Sequence, residues 1–217
     1  MTSYPAAPWT LTGHAVQTIH LLDIRRARIF VPSELEIVSV LPGHTLGGVY
    51  LSAYKQGSTL KYNELIVVAA LVRYENRIGS WISHIYVDLE DSVAGGREIW
   101  GLPKELAQFT WMNNSVSVRQ DELLCRLDFT KEWYSLSSWW RQPFSGNVFS
   151  GLGAELLMFN AKLEAKGGLL QGHLDIPDAS PLAKLHLQQP WLTLDCQQLR
   201  VVTEVPETVG KKTLTDR

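Results

Sequence analysis

The chain has 217 residues, enough for one domain with a real core or at most two small ones. Hydrophobic residues make up 45% and charged residues 19%, the balance of a globular rather than a disordered chain. The formal net charge is −2 and the densest basic cluster is Arg25, Arg26 and Arg28, which argues against a nucleic-acid partner. No apolar run reaches membrane-spanning length, Leu65 to Val72 being the longest, which argues against a membrane.

Met1 to Trp9 lacks the basic-then-apolar pattern of a signal peptide, so the expectation is a cytoplasmic protein. Cys125 and Cys196 are far apart and have no CxxC spacing. Neither a zinc site nor a disulfide framework is expected, and each cysteine reads as a small buried apolar residue.

Residues 1–9 read as a flexible arm, followed by a first strand at Ala15 to Leu22. Asp23 to Phe30 reads as a helical turn or two, which Pro32 ends. Strands are expected at Gly47 to Tyr54, Leu60 to Tyr74 and Gly79 to Leu89. In the second of these, Tyr62, Glu64, Ile66, Val68 and Ala70 share one face by the period of two. Its other face is also apolar, so both sides are expected to be covered. Asp91 to Trp100 reads as a short helix. Further strands are expected at Thr110 to Met112, Ser115 to Arg119, Leu123 to Thr130, Leu156 to Leu163, Gly168 to Leu174 and Leu192 to Val205. Glu132 to Gly153, with Trp139 and Trp140, reads as a long loop with strand edges. Ser180 to Leu187 has helical spacing with Pro181 at its start, and residues 207–217 read as a frayed, flexible tail. The sum is a single domain over 1–217 that is mainly β and antiparallel, a barrel or sandwich with a few short helices.

The chemistry concentrates between Gly95 and Ala107. Trp100, Leu102 and Leu106 can form an apolar wall around one lysine, Lys104. An amine in a dry wall loses the solvation of its ammonium form, and a neutral amine can attack a ketone to form a Schiff base. By the residues alone, a solvated lysine beside Glu105 is the commoner outcome.

The order Gly96-Arg97-Glu98, a spacer, Pro103-Lys104, then Leu106 resembles the signature of the acetoacetate decarboxylase family. Val31-Pro32-Ser33-Glu34-Leu35-Glu36-Ile37 and Tyr62-Asn63-Glu64 are similar to further family segments, with a weaker similarity at Phe159-Asn160-Ala161-Lys162. The resemblance implies a β-barrel-like fold around an apolar cavity, with Lys104 as Schiff-base nucleophile and Glu64 as the active-site carboxylate. It implies Tyr62, Trp100 and Leu102 as pocket walls, and Arg97 and Glu98 as structural support that could pair with each other. It implies a small carbonyl compound as substrate, no metal or organic cofactor, and assembly into a homo-oligomer.

Three departures accompany it. The family's second lysine is replaced by Glu105, whose attraction for an ammonium at about 4 Å could reach roughly 4 kcal/mol and undo its activation. Adjacent residues of an extended chain point to opposite faces, however, so Glu105 is expected to turn towards solvent or Arg97. Counting without gaps puts Gly13 where the family has a carboxylate-binding arginine, and Val49 near where it has a second glutamate. The expected activity is a lyase of the acetoacetate decarboxylase type. The alternatives are aldol condensation and dehydration through the same lysine, or a non-catalytic β-barrel that binds an apolar small molecule.

Overall fold

Successive side chains of a strand point to opposite faces, so a chain apolar on both alternations builds a sheet with two buried sides. The computed structural model describes residues 4–135, 144–187 and 189–212. In chain order the strands are β1 (Trp9–Asp23), β2 (Glu36–Ile37), β3 (His44–Tyr54), β4 (Asn63–Tyr74), β5 (Arg77–Val87), β6 (Lys104–Leu106) and β7 (Gln108–Trp111). They continue as β8 (Ser115–Arg119), β9 (Leu123–Ser135), β10 (Phe144–Leu152), β11 (Glu155–Asp175), β12 (Leu192–Thr203) and β13 (Glu207–Lys211). Helix α1 (Ile24–Ala27) follows β1 and helix α2 (Glu90–Trp100) follows β5; Pro181–Leu185 is a 3-10 turn.

Seven strands close on themselves in the order β10-β5-β4-β3-β1-β12-β11, and β11 pairs back to β10. Neighbours in this ring are antiparallel except β10 with β5. The mainly β, barrel-like expectation therefore holds, as a ring of strands with a wing. The wing, β9-β8-β7, continues from β11. Its Val116, Val118 and Leu127 pack with Val49, Leu51 and Leu65 on the outer face of the ring. The inner face carries Tyr54, Tyr62, Ile85, Leu199 and Val201. Strand β4 is covered on both sides, as its sequence predicts.

Asp23 caps α1 by accepting a 2.8 Å hydrogen bond from the Arg25 amide. Beyond it Val31, Leu35 and Ile37 are buried against Ala70, Val72 and Phe149.

The structure departs from the sequence reading at four places. The two strands expected between Leu156 and Leu174 are one strand of 21 residues. Its register shifts between Glu164 and Lys166, a bulge, and Gly167 and Gly168 continue the ladder opposite Cys196 and Asp195 without a turn. The loop expected over Glu132 to Gly153 is strand up to Ser135 and again from Phe144 to Leu152; Trp139 and Trp140 lie outside the described residues. The tail expected to fray from Glu207 instead pairs as β13 with β11. The partner edge supplies hydrogen bonds that sequence composition does not reveal. Trp9, expected in the N-terminal arm, opens β1 and is buried.

Both cysteines are free and buried. Burial pushes the Cys125 thiol up from 9.0 to about 12, and the Tyr86 phenol up from 10.0 to about 12. Their folded-state pKa values are raised, so the stability they contribute is complete below pH 9 to 10 and is lost as pH climbs towards about 12. Unfolding free energies from urea titrations across that window are expected to fall, by on the order of 1.4 kcal/mol per pH unit for each proton. A flat profile would contradict this.

Candidate active site

Helix α2 builds one wall. Its Ser92, Gly96 and Trp100 recur every four residues and lie buried on one face, as the helical period requires. It ends at Gly101, which takes the left-handed conformation at φ 60° and donates to the Arg97 carbonyl. Leu102-Pro103 then leads into β6, which pairs parallel to β5 with Lys104 level with Ile85. Lys104 therefore shares Ile85's face, inside the ring. Glu105, level with Tyr86, takes the outer face, where it accepts a 3.3 Å hydrogen bond from Gln120. The expectation that Glu105 turns away from Lys104 holds, although its partner is Gln120 rather than Arg97.

Lys104 is only 3% exposed and Glu64 only 4%, so this pair is shut away from bulk water. Lys104 Nζ donates to Glu64 Oε1 at 2.8 Å, to Ser92 Oγ at 3.0 Å and to Tyr62 OH at 3.5 Å. It lies 5.0 Å from the centre of the Tyr62 ring and 5.9 Å from that of Trp9. The other Glu64 oxygen accepts from Tyr54 OH at 3.0 Å, and Tyr54 OH stands 3.4 Å from Tyr50 OH. Burial, reinforced by the Glu64 carboxylate, holds the Tyr62 phenol well above its ordinary pKa; burial also raises Tyr54. Both remain neutral hydroxyls across the working pH range.

The aliphatic stem of Lys104 runs against Gly96. A Cβ added there would lie 2.4 Å from Lys104 Cδ and 2.7 Å from Cε, so this position needs glycine for close approach. The neighbouring residues brace the loop by separate contacts. Arg97 Nε donates to the Lys104 carbonyl at 2.8 Å, while Glu98 accepts from Tyr4 OH. The Arg97–Glu98 pairing anticipated from sequence is replaced by these two contacts. Trp9 meets Trp100 edge-on at 4.8 Å, and Trp100 Nε1 donates to the Glu204 carbonyl at 2.8 Å. Leu102 is buried in the same apolar cluster as Tyr62 and Trp100.

Thus the structure brings Lys104, Glu64, Tyr62, Trp100 and Leu102 together. Sequence reasoning missed Ser92, Tyr54 and Trp9. The four-residue spacing of Ser92, Gly96 and Trp100 was the available signal for the first. Val49 sits on the outer face with Leu51 and Leu65, so it does not reach Lys104; Tyr50 and Ser52 occupy the inner face of that strand. His84 also belongs to the outer face, level with Val67, and contacts Phe30, Tyr86 and Ser83.

Two opposite charges taken out of water are costly unless well paired, and loss of one partner leaves the other uncompensated. Here the carboxylate oxygen is 2.8 Å from the amine nitrogen. Transfer of one proton between them converts the ion pair into a neutral amine and a carboxylic acid. That is the form in which an amine can attack a carbonyl.

The fold and the site together define a closed ring of strands that buries a lysine–carboxylate pair. The family model for acetoacetate decarboxylase matches residues 1–132, and the chain belongs to that family. It is 33% identical to the tomato (Solanum lycopersicum) protein NEOXANTHIN-DEFICIENT 1 over 107 residues, 49% of this chain and 36% of that protein. It is 26% identical to acetoacetate decarboxylase of Burkholderia vietnamiensis over 132 residues, 59% of this chain and 49% of that protein. The matched stretches therefore span at most about half the length of these relatives. The fold is similar to that of the Legionella pneumophila acetoacetate decarboxylase crystal structure, with a TM-score of 0.77, 17% identity, and 97% of this chain and 90% of that chain covered. It is also similar to the enduracididine biosynthesis enzyme MppR complexed with pyruvate, with a TM-score of 0.62, 14% identity, and 99% and 93% covered.

Proposed function

We propose that the protein is a Schiff-base lyase acting on a β-keto acid or a related carbonyl compound through Lys104. The observation that carries this reading is the buried 2.8 Å contact between Lys104 Nζ and Glu64 Oε1. Glu64 accepts a proton from the ammonium, and the amine adds to the ketone. Glu64, now protonated, returns a proton to the departing hydroxyl, which leaves as water and gives the iminium on Lys104. The iminium draws the electron pair of the breaking carbon–carbon bond, carbon dioxide leaves, and an enamine forms. A proton delivered to its carbon, followed by water, releases the ketone and restores the amine. Tyr62 and Ser92 hold the nitrogen in place. No metal or organic cofactor enters this scheme. Turnover is tested by carbon dioxide release from a panel of β-keto acids, and product formation from α-keto acid and aldehyde pairs tests the aldolase-dehydratase variant. Activity with neither group would sink both.

A second reading, a binding protein without catalysis, is favoured by one observation: Glu64, Ser92 and Tyr62 together occupy all three hydrogens of an ammonium at Lys104. The same proposal takes the protein as a cytoplasmic homo-oligomer, which light scattering of the purified chain tests as to assembly.

Gly96→Ala separates reactivity from stability. Alanine raises helix propensity by about 1 kcal/mol, but its Cβ displaces the lysine stem. The expected result is a fall in turnover of roughly 100-fold, as for a misplacement of about 1 Å, with little change in melting temperature. Unchanged turnover would show that Lys104's position is not critical.

A further inference from the structure

The inner and outer faces of the ring differ in an unusual sense. On β1 the outward Val16, Thr18, His20 and Leu22 are buried, whereas the inward Gln17 and Ile19 are half-exposed. The same holds around the ring: Ile66 and Val68 on β4, Leu163 on β11 and Leu194 on β12 face inwards, are apolar and are half-buried. By contrast Trp9, Leu11, Tyr62, Val87 and Trp100, around Lys104, are all under 5% exposed. The inward side chains are therefore shut from solvent around the lysine and half-exposed farther along the strands, where they are apolar except for Gln17. From Ala15 to Leu21 β1 runs six steps, about 20 Å of strand and roughly 15 Å along the ring axis at ordinary strand tilts.

Polar groups gather at the closed end. Ser52 is fully buried and level with Glu64, and its hydroxyl makes no hydrogen bond of good geometry. It lies beside the Tyr50 and Tyr54 hydroxyls, and a ligand oxygen can join this buried polar set. The place where sequence comparison sought a carboxylate-binding arginine is Gly13. A Cβ on Gly13 would lie 2.0 Å from the Ala53 carbonyl oxygen, so no side chain fits there. A small, highly charged keto acid would find apolar walls over most of its surface and no arginine at that position.

We propose that the ligand of this site is a carbonyl compound with a linear apolar body, its carbonyl end at Lys104 and Ser52 and its tail along Ile66, Val68, Leu163 and Leu194. This rests on the lysine reading above and specifies its substrate class. Recognition comes from the tail, because each methylene moved from water into an apolar wall is worth roughly fourfold in affinity. The polar end supplies orientation.

The test separates binding from chemistry. Binding of 2-alkanols of increasing chain length, which have no carbonyl to condense with an amine, is measured by calorimetry on the wild-type chain. In parallel, borohydride trapping is run with acetoacetate and with β-ketodecanoate. The expected result is affinity rising severalfold per added methylene until the half-buried inner face is covered, with trapping stronger for the long keto acid. Leu163→Trp, which adds bulk to the inward face of β11, should abolish the gain with length. Affinity that does not rise with chain length, or trapping that favours acetoacetate, overturns the proposal while leaving the imine intact. Affinity that rises with length with no adduct from any compound supports the ligand class and overturns the imine chemistry instead.

Discussion

Glu64→Gln is expected to lower turnover by roughly 100- to 10,000-fold, the range typical of a lost general acid–base group. Glutamine keeps the length of the side chain and an oxygen that can accept from Lys104 Nζ, so the geometry at 2.8 Å is largely retained. Tyr54 can reverse its role and accept from the new amide in place of donating to the carboxylate. What disappears is the ability to take a proton from the ammonium and to return one to the departing hydroxyl. The loss should fall on kcat, and on the rate of imine formation in single turnovers, with KM little changed. The variant also leaves a buried ammonium without its counter-charge, a cost of about 3–5 kcal/mol unless the amine sheds its proton. Turnover within a few-fold of wild type would assign Glu64 a purely structural role.

The second large effect is expected for Lys104→Met. Methionine fills much of the space of the lysine stem against Gly96 but has no nucleophile, so turnover and covalent trapping should disappear. Glu64 then stands at 4% exposure with only Tyr54 of its two former strong partners. A drop in stability of several kcal/mol is expected, since a buried carboxylate is left without its cation. The double variant Lys104→Met with Glu64→Gln should recover part of the loss, because neither charge then remains. Such recovery in a double-mutant cycle reports the direct coupling of the two side chains. Residual decarboxylation in Lys104→Met at more than a thousandth of the wild-type rate would place the chemistry elsewhere.

Much of this site was legible because strands translate sequence parity into position. Glu64, Ile66 and Val68 alternate on one face of β4, and Tyr62, just before the strand, packs in the same cluster. The same rule separated Lys104 from Glu105 before any coordinates. What stayed hidden depends on distant partners. Ser92 reaches the amine only because α2 lies against β6, and Tyr54 only because β3 pairs with β4. Trp9 looked like part of a free arm, yet β1 begins with it and it closes the chamber against Trp100. Gap-free counting placed a lost glutamate at Val49, but parity turns Val49 outwards and gives the inner positions to Tyr50 and Ser52. Strand β13 has no local signature of its own; the exposed edge of β11 creates it.

The central claim is that Lys104 forms an imine with a carbonyl compound. The chain should be incubated with acetoacetate and with a longer β-keto acid, reduced with borohydride, digested, and mapped by mass spectrometry. The account predicts a reduced adduct on the peptide carrying Lys104, absent in Lys104→Ala. No adduct with any carbonyl compound, from a folded protein that still binds apolar ketones, would contradict it and leave the chamber as a binding site.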